Sequence, residues 1–406
     1  MKRTLGRLLQ NTLLCATAAA ALTIPGRAWA PTGLFAGVSD GGPDATIALI
    51  LRDIDQNRLD VALARTENLI SLHPNFRLAH LIRGDLLLAR VQPISTFGNA
   101  GAADSAKLKD LRDEAIARLH GYRNKPTNER VPRYLLQMRD DQNYAIVVDT
   151  RQSRLYLYRN EKGRPVFVAD WYVSQGKAGA EKEREGDNKT PVGVYRVTSV
   201  MAPEKLTDFY GKRAFPINYP NEWDRMNGRN GHGIWLHGVP SDTYARPPLA
   251  SEGCVVLANQ DLDALSGYLQ IGVTPVIISN GIEWLSLDDW QNERASLNKT
   301  IEDWRKDWES RDTARYLGHY SSRFRSGKLD LAAWSRQKEN VTSGKSWIKV
   351  GLRKLSVLRN PGKNEEVVMV TFEQDYSSNN LSNVVQKRQY WVKENGHWKI
   401  IYEGNA

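Results

Sequence analysis

Tyr144-Ala145-Ile146-Val147-Val148-Asp149 is followed, after a short turn, by Arg154-Leu155-Tyr156-Leu157-Tyr158. These two stretches decide the reading of the chain. Upstream, apolar residues recur every three or four positions. From Tyr144 the period drops to two and β-branched and aromatic residues take over, the pattern of an antiparallel hairpin. Pro165 to Val173 continues the meander. Val192-Gly193-Val194-Tyr195-Arg196-Val197, Gly233-Ile234-Trp235-Leu236 and Thr274-Pro275-Val276-Ile277-Ile278 supply further strands, and Asn259 to Leu269 a single helix. Many short strands with little helix predict a mostly-β sandwich or barrel-like centre.

Working outward, Asp44 to about Arg90 is helical, with Ile47, Leu51, Ile54, Leu59, Leu63 and Leu69 at helical spacing and Asn57 and His73-Pro74-Asn75 as punctuation. Leu51 to Leu88 resembles one tetratricopeptide-type hairpin, including Pro74-Asn75-Phe76, Ala79 and Gly84. A single repeat makes no concave surface, so a packing scaffold is favoured over peptide binding. A Gly/Ala-rich link at residues 95–103, a helix from Lys107 to His120 and a Pro-containing linker at residues 125–132 follow. At the far end an amphipathic helix marked by Ile301, Trp304, Trp308 and Ala314-Tyr316 precedes strands at residues 347–350, 352–357, 366–376, 386–393 and 398–402. The expected fold class is multidomain: an N-terminal α-helical region, a central mostly-β sandwich and a C-terminal α+β cone.

The N-terminus carries Lys2, Arg3 and Arg7, an apolar run from about Leu8 to Ile24, then Gly26-Arg27-Ala28-Trp29-Ala30. That is the layout of a secretory signal peptide over residues 1–30, with cleavage after Ala28 or Ala30, and it predicts export to the periplasm. Cys15 would be discarded with it. The run is too short and polar for a good membrane span, and no integral span is expected after processing. The formal charge of +10 falls to +6 when these four basic residues, unaccompanied by acid, are removed. No dense basic stripe argues for nucleic acid. The seven histidines are scattered and no ligand motif occurs, so no metal or cofactor is expected.

Chemistry concentrates in Gly233-Ile234-Trp235-Leu236-His237-Gly238 and, seventeen residues on, Ser251-Glu252-Gly253-Cys254. Cys254 is the one cysteine left after processing and has no disulfide partner. His237 would activate the thiol by holding a thiolate ion pair. The Gly238 carbonyl could orient the imidazole, and the amides of Gly253 and Cys254 could form an oxyanion hole. The alternative is a core cysteine beside a turn glycine.

With Lys189-Thr190-Pro191-Val192-Gly193-Val194-Tyr195 added, the order and spacing of these pieces over residues 143–279 resemble the L,D-transpeptidase (YkuD) catalytic domain. The resemblance implies a cysteine enzyme acting on peptidoglycan stem peptides. Cys254 would be the nucleophile, and His237 the general base and then the acid, with a thioester passed to an amine. Family members commonly have His at the place of Glu252 and Arg or Asn at the place of Val256. Arg225 and Arg229 could supply the missing charge, or be solvated loop arginines. His232 and Ser251 are further candidates for substrate contact, His232 equally a turn residue.

Residues 290–404, ending Trp-Lys-Ile-Ile-Tyr-Glu, resemble the nuclear-transport-factor-2-like cone. That fold supports both small enzymes and inert binding modules, so the resemblance alone assigns no activity. With no paired Asp/His constellation there, docking of envelope proteins or ligands is favoured, and a homodimer is left open. The three-part layout also resembles L,D-carboxypeptidases, which trim the terminal D-alanine. A non-catalytic envelope-binding protein is the alternative from another class.

Overall fold

The structure is a computed structural model describing residues 42–406 except 95, 100–103 and 363. The proposed signal peptide lies outside the described residues, among which no helix is long and apolar enough to cross a membrane. The described chain divides into two compact units, up to Leu119 and from His120 onward.

The first unit holds α1 (Pro43–Asp55), α2 (Leu59–Leu72), α3 (Arg77–Leu88) and most of α4 (Ser105–Arg123). Of the expected helical stripe, Ile47, Leu63 and Leu69 are buried, together with Ile50, Phe76, Leu78 and Ile82, while Leu51, Ile54 and Leu59 are only partly buried. Asn57 adopts φ 59° at the α1–α2 turn, a left-handed position that asparagine tolerates better than most residues. Asp53, fully buried, accepts from Arg58 and Arg65 and so ties α1 to α2.

The second unit begins with two short strands, β1 (Arg130–Pro132), within the expected linker, and β2 (Leu135–Gln137), just beyond it. Then come β3 (Tyr144–Asp149), β4 (Arg154–Glu161), β5 (Arg164–Tyr172), β6 (Gln175–Gly176), β7 (Gly193–Arg196), β8 (Ala214–Pro216), α5 (Glu222–Met226), β9 (Trp235–His237), β10 (Leu249–Ser251), β11 (Val255–Val256), α6 (Asn259–Ser266) and β12 (Pro275–Ser279). One sheet has the order β5-β4-β3-β12-β7 and a smaller one β11-β9-β8, with β6 and β10 as a separate parallel pair. Alternation sorts the two faces of β3. Ile146 and Val148 join Leu155, Leu157, Phe215, Leu236, Val255 and Ile278 in the core between the sheets. Ala145 and Val147 join Tyr156, Tyr158, Tyr134, Leu135 and Leu358 on the other side. Burial on both faces explains the unbroken apolar run in β3.

β13 (Trp284–Ser286) pairs with β1 and leads into α7 (Leu287–Ser310), then α8 (Thr313–Leu317), β14 (Tyr320–Ser326), β15 (Leu329–Asp330) and α9 (Leu331–Ser343). Four long strands complete the cone: β16 (Ile348–Arg359), β17 (Val367–Ser378), β18 (Ser382–Glu394) and β19 (His397–Asn405). The sheet order β15-β14-β19-β18-β17-β16-β2 brings the early β2 to its edge. The sequence predicts two strands broken at Gly351 where β16 is one: Gly351 stays paired with Asp375, and the register shifts only between Arg353 and Ser356, with Lys354 at φ 51°. Trp290, Trp304, Trp308, Phe324, Phe372 and Trp391 form the core of this half.

Candidate active site

Cys254 stands immediately before β11, which pairs in parallel with β9 so that Val255 faces Leu236 and Val256 faces His237. Continuing that register sets Cys254 opposite Trp235, two residues before His237, so the thiol and the imidazole emerge on the same face of the pair. Both line one cleft of about 400 Å³, with Lys182, Glu185, Asn188, Phe209, Tyr210, His232, Trp235 and Arg246 around them.

The loop before Cys254 is built on two hydroxyls. Ser251 Oγ donates to the Cys254 carbonyl (2.6 Å) and accepts from the Gly253 amide (3.1 Å). Thr190 Oγ1 accepts from the Gly176 amide (2.9 Å) and donates to the Gly253 carbonyl (3.0 Å). This gives the Lys189-Thr190-Pro191 motif a physical role as a brace under the cysteine. Gly253 has φ 128°, and a Cβ there would lie 2.7 Å from the Lys189 carbonyl oxygen, so only glycine fits. Its amide, predicted to serve an oxyanion hole, is engaged by Ser251 instead. Ser251 is buried and shapes the loop from beneath.

His237 is 1 % exposed and caged by aromatic rings, with the Tyr210 centroid at 5.1 Å and Phe209 at 6.4 Å. Its Nδ1 lies 2.7 Å from the Gly238 carbonyl, as the sequence reading expects of Gly238. A carbonyl only accepts, so Nδ1 carries the proton and Nε2 presents its lone pair. Asn259, at the start of α6, clamps this turn: it accepts from the Val239 amide (3.1 Å) and donates to the Val239 carbonyl (2.9 Å). A Cβ on Gly238 would sit 2.0 Å from Asn259 Oδ1.

Both reactive groups rest uncharged. Burial pushes the His237 imidazole down to about 4, against the Gly238 hydrogen bond and helped by the Arg246 charge. Burial pushes the Cys254 thiol up to about 11, although the Trp235 amide and then Arg246 favour the thiolate. The thiol donates to the Gly233 carbonyl (3.4 Å), and no hydrogen bond joins it to His237 among the described residues. The resting site is therefore a neutral thiol beside a neutral imidazole rather than the ion pair expected from sequence.

The candidate substrate cations separate. Arg229 is held by Asp224 (2.9 Å), which is 1 % exposed and forms the capping box of α5 with Asn221. Arg225 is exposed on α5, and neither arginine lines the Cys254 cleft. Arg246, which carries no sequence motif, does. Its guanidinium stacks over Phe209 (4.2 Å to the centroid) and donates to the Phe209 carbonyl (2.8 Å), with no carboxylate partner among the described residues. Lys182 also faces the cleft but is paired with Asp187 (2.7 Å). Asp187 organises that loop: burial opposes its charge, yet Lys182 and the amides of Glu183, Arg184 and Lys189 hold it well below the usual carboxylate range. His232 is exposed at the cleft rim, 3.5 Å from Glu185. Glu252 lines the cleft as an exposed residue and lies 3.5 Å from Lys177, and Val256 is buried in β11. No cluster of His, Cys, Asp and Glu suited to a metal occurs among the described residues.

Comparison with known proteins places this geometry. Residues 143–278 match the family model of the L,D-transpeptidase catalytic domain (YkuD), and residues 296–404 that of the Cds6 C-terminal NTF2-like domain. The "Putative L,D-transpeptidase YafK" of Escherichia coli K12 is 31% identical over 102 residues, 24% of this chain. The chain spans 37% of the length of that curated relative. Bd1075 of Bdellovibrio bacteriovorus is 28% identical, with a TM-score of 0.61 over 68% of this chain and 98% of its own. The helical cell shape determining protein Pgp2 of Campylobacter jejuni is 26% identical, with a TM-score of 0.58 over 67% of this chain and 95% of its own. Residues 143–278 are thus a catalytic domain of the YkuD L,D-transpeptidase family, followed over residues 296–404 by an NTF2-like domain.

Proposed function

We propose that this protein is a periplasmic peptidoglycan L,D-transpeptidase that forms a thioester on Cys254 with a stem tetrapeptide. The observation that carries the reading is the union, in one cleft, of the half-buried Cys254 thiol and a His237 whose tautomer leaves Nε2 as the proton acceptor. His237 Nε2 takes the thiol proton as sulfur attacks the carbonyl at the L-centre of the diaminoacid. The C–N bond to D-alanine breaks, and the proton passes to the departing amine. An acceptor amine then attacks the thioester, loses its proton to His237 and regenerates the thiol. The pair is neutral at rest, so charge separation waits for bound substrate. Arg246, the unpaired cation of the cleft, is suited to the terminal carboxylate of the donor.

Hydrolysis is the second reading, a carboxypeptidase leaving tripeptide. It uses the same Cys254 and His237, with water in place of the acceptor amine. Incubation with disaccharide-tetrapeptide and mass analysis separates the readings: dimers mark transpeptidation, tripeptide alone marks trimming. No turnover by the wild type, together with unchanged binding by Cys254→Ala, would replace both with a binding protein. Arg246→Gln is expected to raise KM roughly tenfold with a smaller change in kcat, the loss of one charge-assisted contact.

A further inference from the structure

The second unit contains another cleft, of about 260 Å³, between β7 and the loops flanking it on one side and strands β16 to β18 on the other. Its walls are basic. Arg196, at the end of β7, is half-buried and its guanidinium has no hydrogen bond or ion pair among the described residues. Arg388, on β18, is 4 % exposed; it meets Glu222 at 2.7 Å, but its buried Nε–H has no acceptor. Arg139 leans on the exposed Asp141 (2.6 Å), and Lys354 reaches Glu373 at 3.6 Å from the β16 irregularity. Burial, and next the like charge of Arg388, work against the charged form of Arg196, yet a guanidinium does not give up its proton in a protein. Arg196 thus has no contacting carboxylate, only the charge of Glu222, which is already paired with Arg388. Such a partly desolvated cation beside a second with an orphaned donor is a costly arrangement unless an anion completes it.

We propose that this cleft is a second ligand site, distinct from the Cys254 cleft, which takes an oxyanion, a carboxylate or phosphate group, between Arg196 and Arg388. The planar forks of two arginines suit such groups bidentately, where a lysine offers only a point charge. The site draws on both halves of the unit, so an occupant would bridge the catalytic domain and the NTF2-like sheet.

Calorimetric titration of the full chain in an Arg246→Gln background, which removes the unpaired cation of the catalytic cleft, tests this at fixed ionic strength. Inorganic phosphate and succinate are the probes. Saturable binding of either is expected, weakened at least tenfold by Arg196→Gln and by a smaller factor by Arg196→Lys, which keeps the charge and loses the fork. The anion that saturates identifies a phosphorylated or a carboxylate ligand. No saturation by either, or equal affinity in Arg196→Gln, would overturn the site. Should Arg196→Gln fold poorly, phenylglyoxal modification of Arg196 in the otherwise unaltered chain, followed by peptide mass, gives the same answer. Protection by the anion supports the site, and an unchanged rate removes it.

Discussion

Burial rather than mutual charge sets the protonation of Cys254 and His237. With the imidazole at about 4 and the thiol at about 11, neither is ionised near neutrality, and the free enzyme should be a poor nucleophile toward small electrophiles. Iodoacetamide alkylation of Cys254, followed by intact mass from pH 5 to 11, should be slow at pH 7 and still rising above pH 9. An inflection at or below pH 7 would instead mean a resting ion pair. Burial of His237 also links stability to pH. The unfolded histidine titrates near 6.5 and the folded one near 4, so between these values the unfolded chain binds the extra proton. Stability is full above pH 6.5 and declines as pH falls toward 4, by roughly 3 kcal/mol in total from this group. Urea unfolding at pH 7.5 and pH 4.5 should reveal that loss, and His237→Gln should reduce it. Equal pH dependence in the variant would sink the assignment.

The elements around the site hold Cys254 through main-chain fit. Gly253→Ala combines φ 128° with a Cβ 2.7 Å from the Lys189 carbonyl, and should cost about 1–3 kcal/mol of stability and far more in turnover. The brace from Thr190 would be displaced along with Cys254. Thermal unfolding and kcat/KM of the variant check this, and wild-type turnover would refute it. Thr190 and Gly253 were legible because they sit in contiguous motifs. The β3–β4 hairpin was legible because two short β-branched and aromatic runs separated by a turn read as paired strands, here buried on both faces. Arg246 and Asn259 were not, since only packing of the β9–β10 loop and the first turn of α6 brings them to the site. Arg229 was a candidate on charge alone, and the buried Asp224 claims it. The two-residue β6 and β11 are too short to carry periodicity, and β14 buries chiefly Tyr320 and Phe324 among exposed arginines.

Across the second unit, the catalytic sandwich and the C-terminal cone share structure that separate domain ranges conceal. β2 precedes the sandwich in sequence yet closes the edge of the C-terminal sheet, and Trp290 of α7 donates to the Leu135 carbonyl (2.8 Å). On the outer face of the five-stranded sheet, Leu358 of β16 is 1 % exposed and packs in one cluster with Tyr134, Tyr156, Val194 and Ile277. Trp223 of α5 meets Val367, Tyr390, Val392 and Ile401 in another. These shared cores predict that residues 120–406 unfold as one cooperative block. Leu358→Ala, made far from Cys254, should therefore lower the temperature at which Cys254 becomes rapidly alkylated and the temperature at which the tryptophan-rich cone loses its fluorescence by the same amount. A buried leucine truncation of this kind costs about 2–5 kcal/mol, enough to move both probes by several degrees. If the fluorescence transition shifts while Cys254 exposure stays at the wild-type temperature, the two halves melt independently, and the shared clusters are contacts without cooperativity.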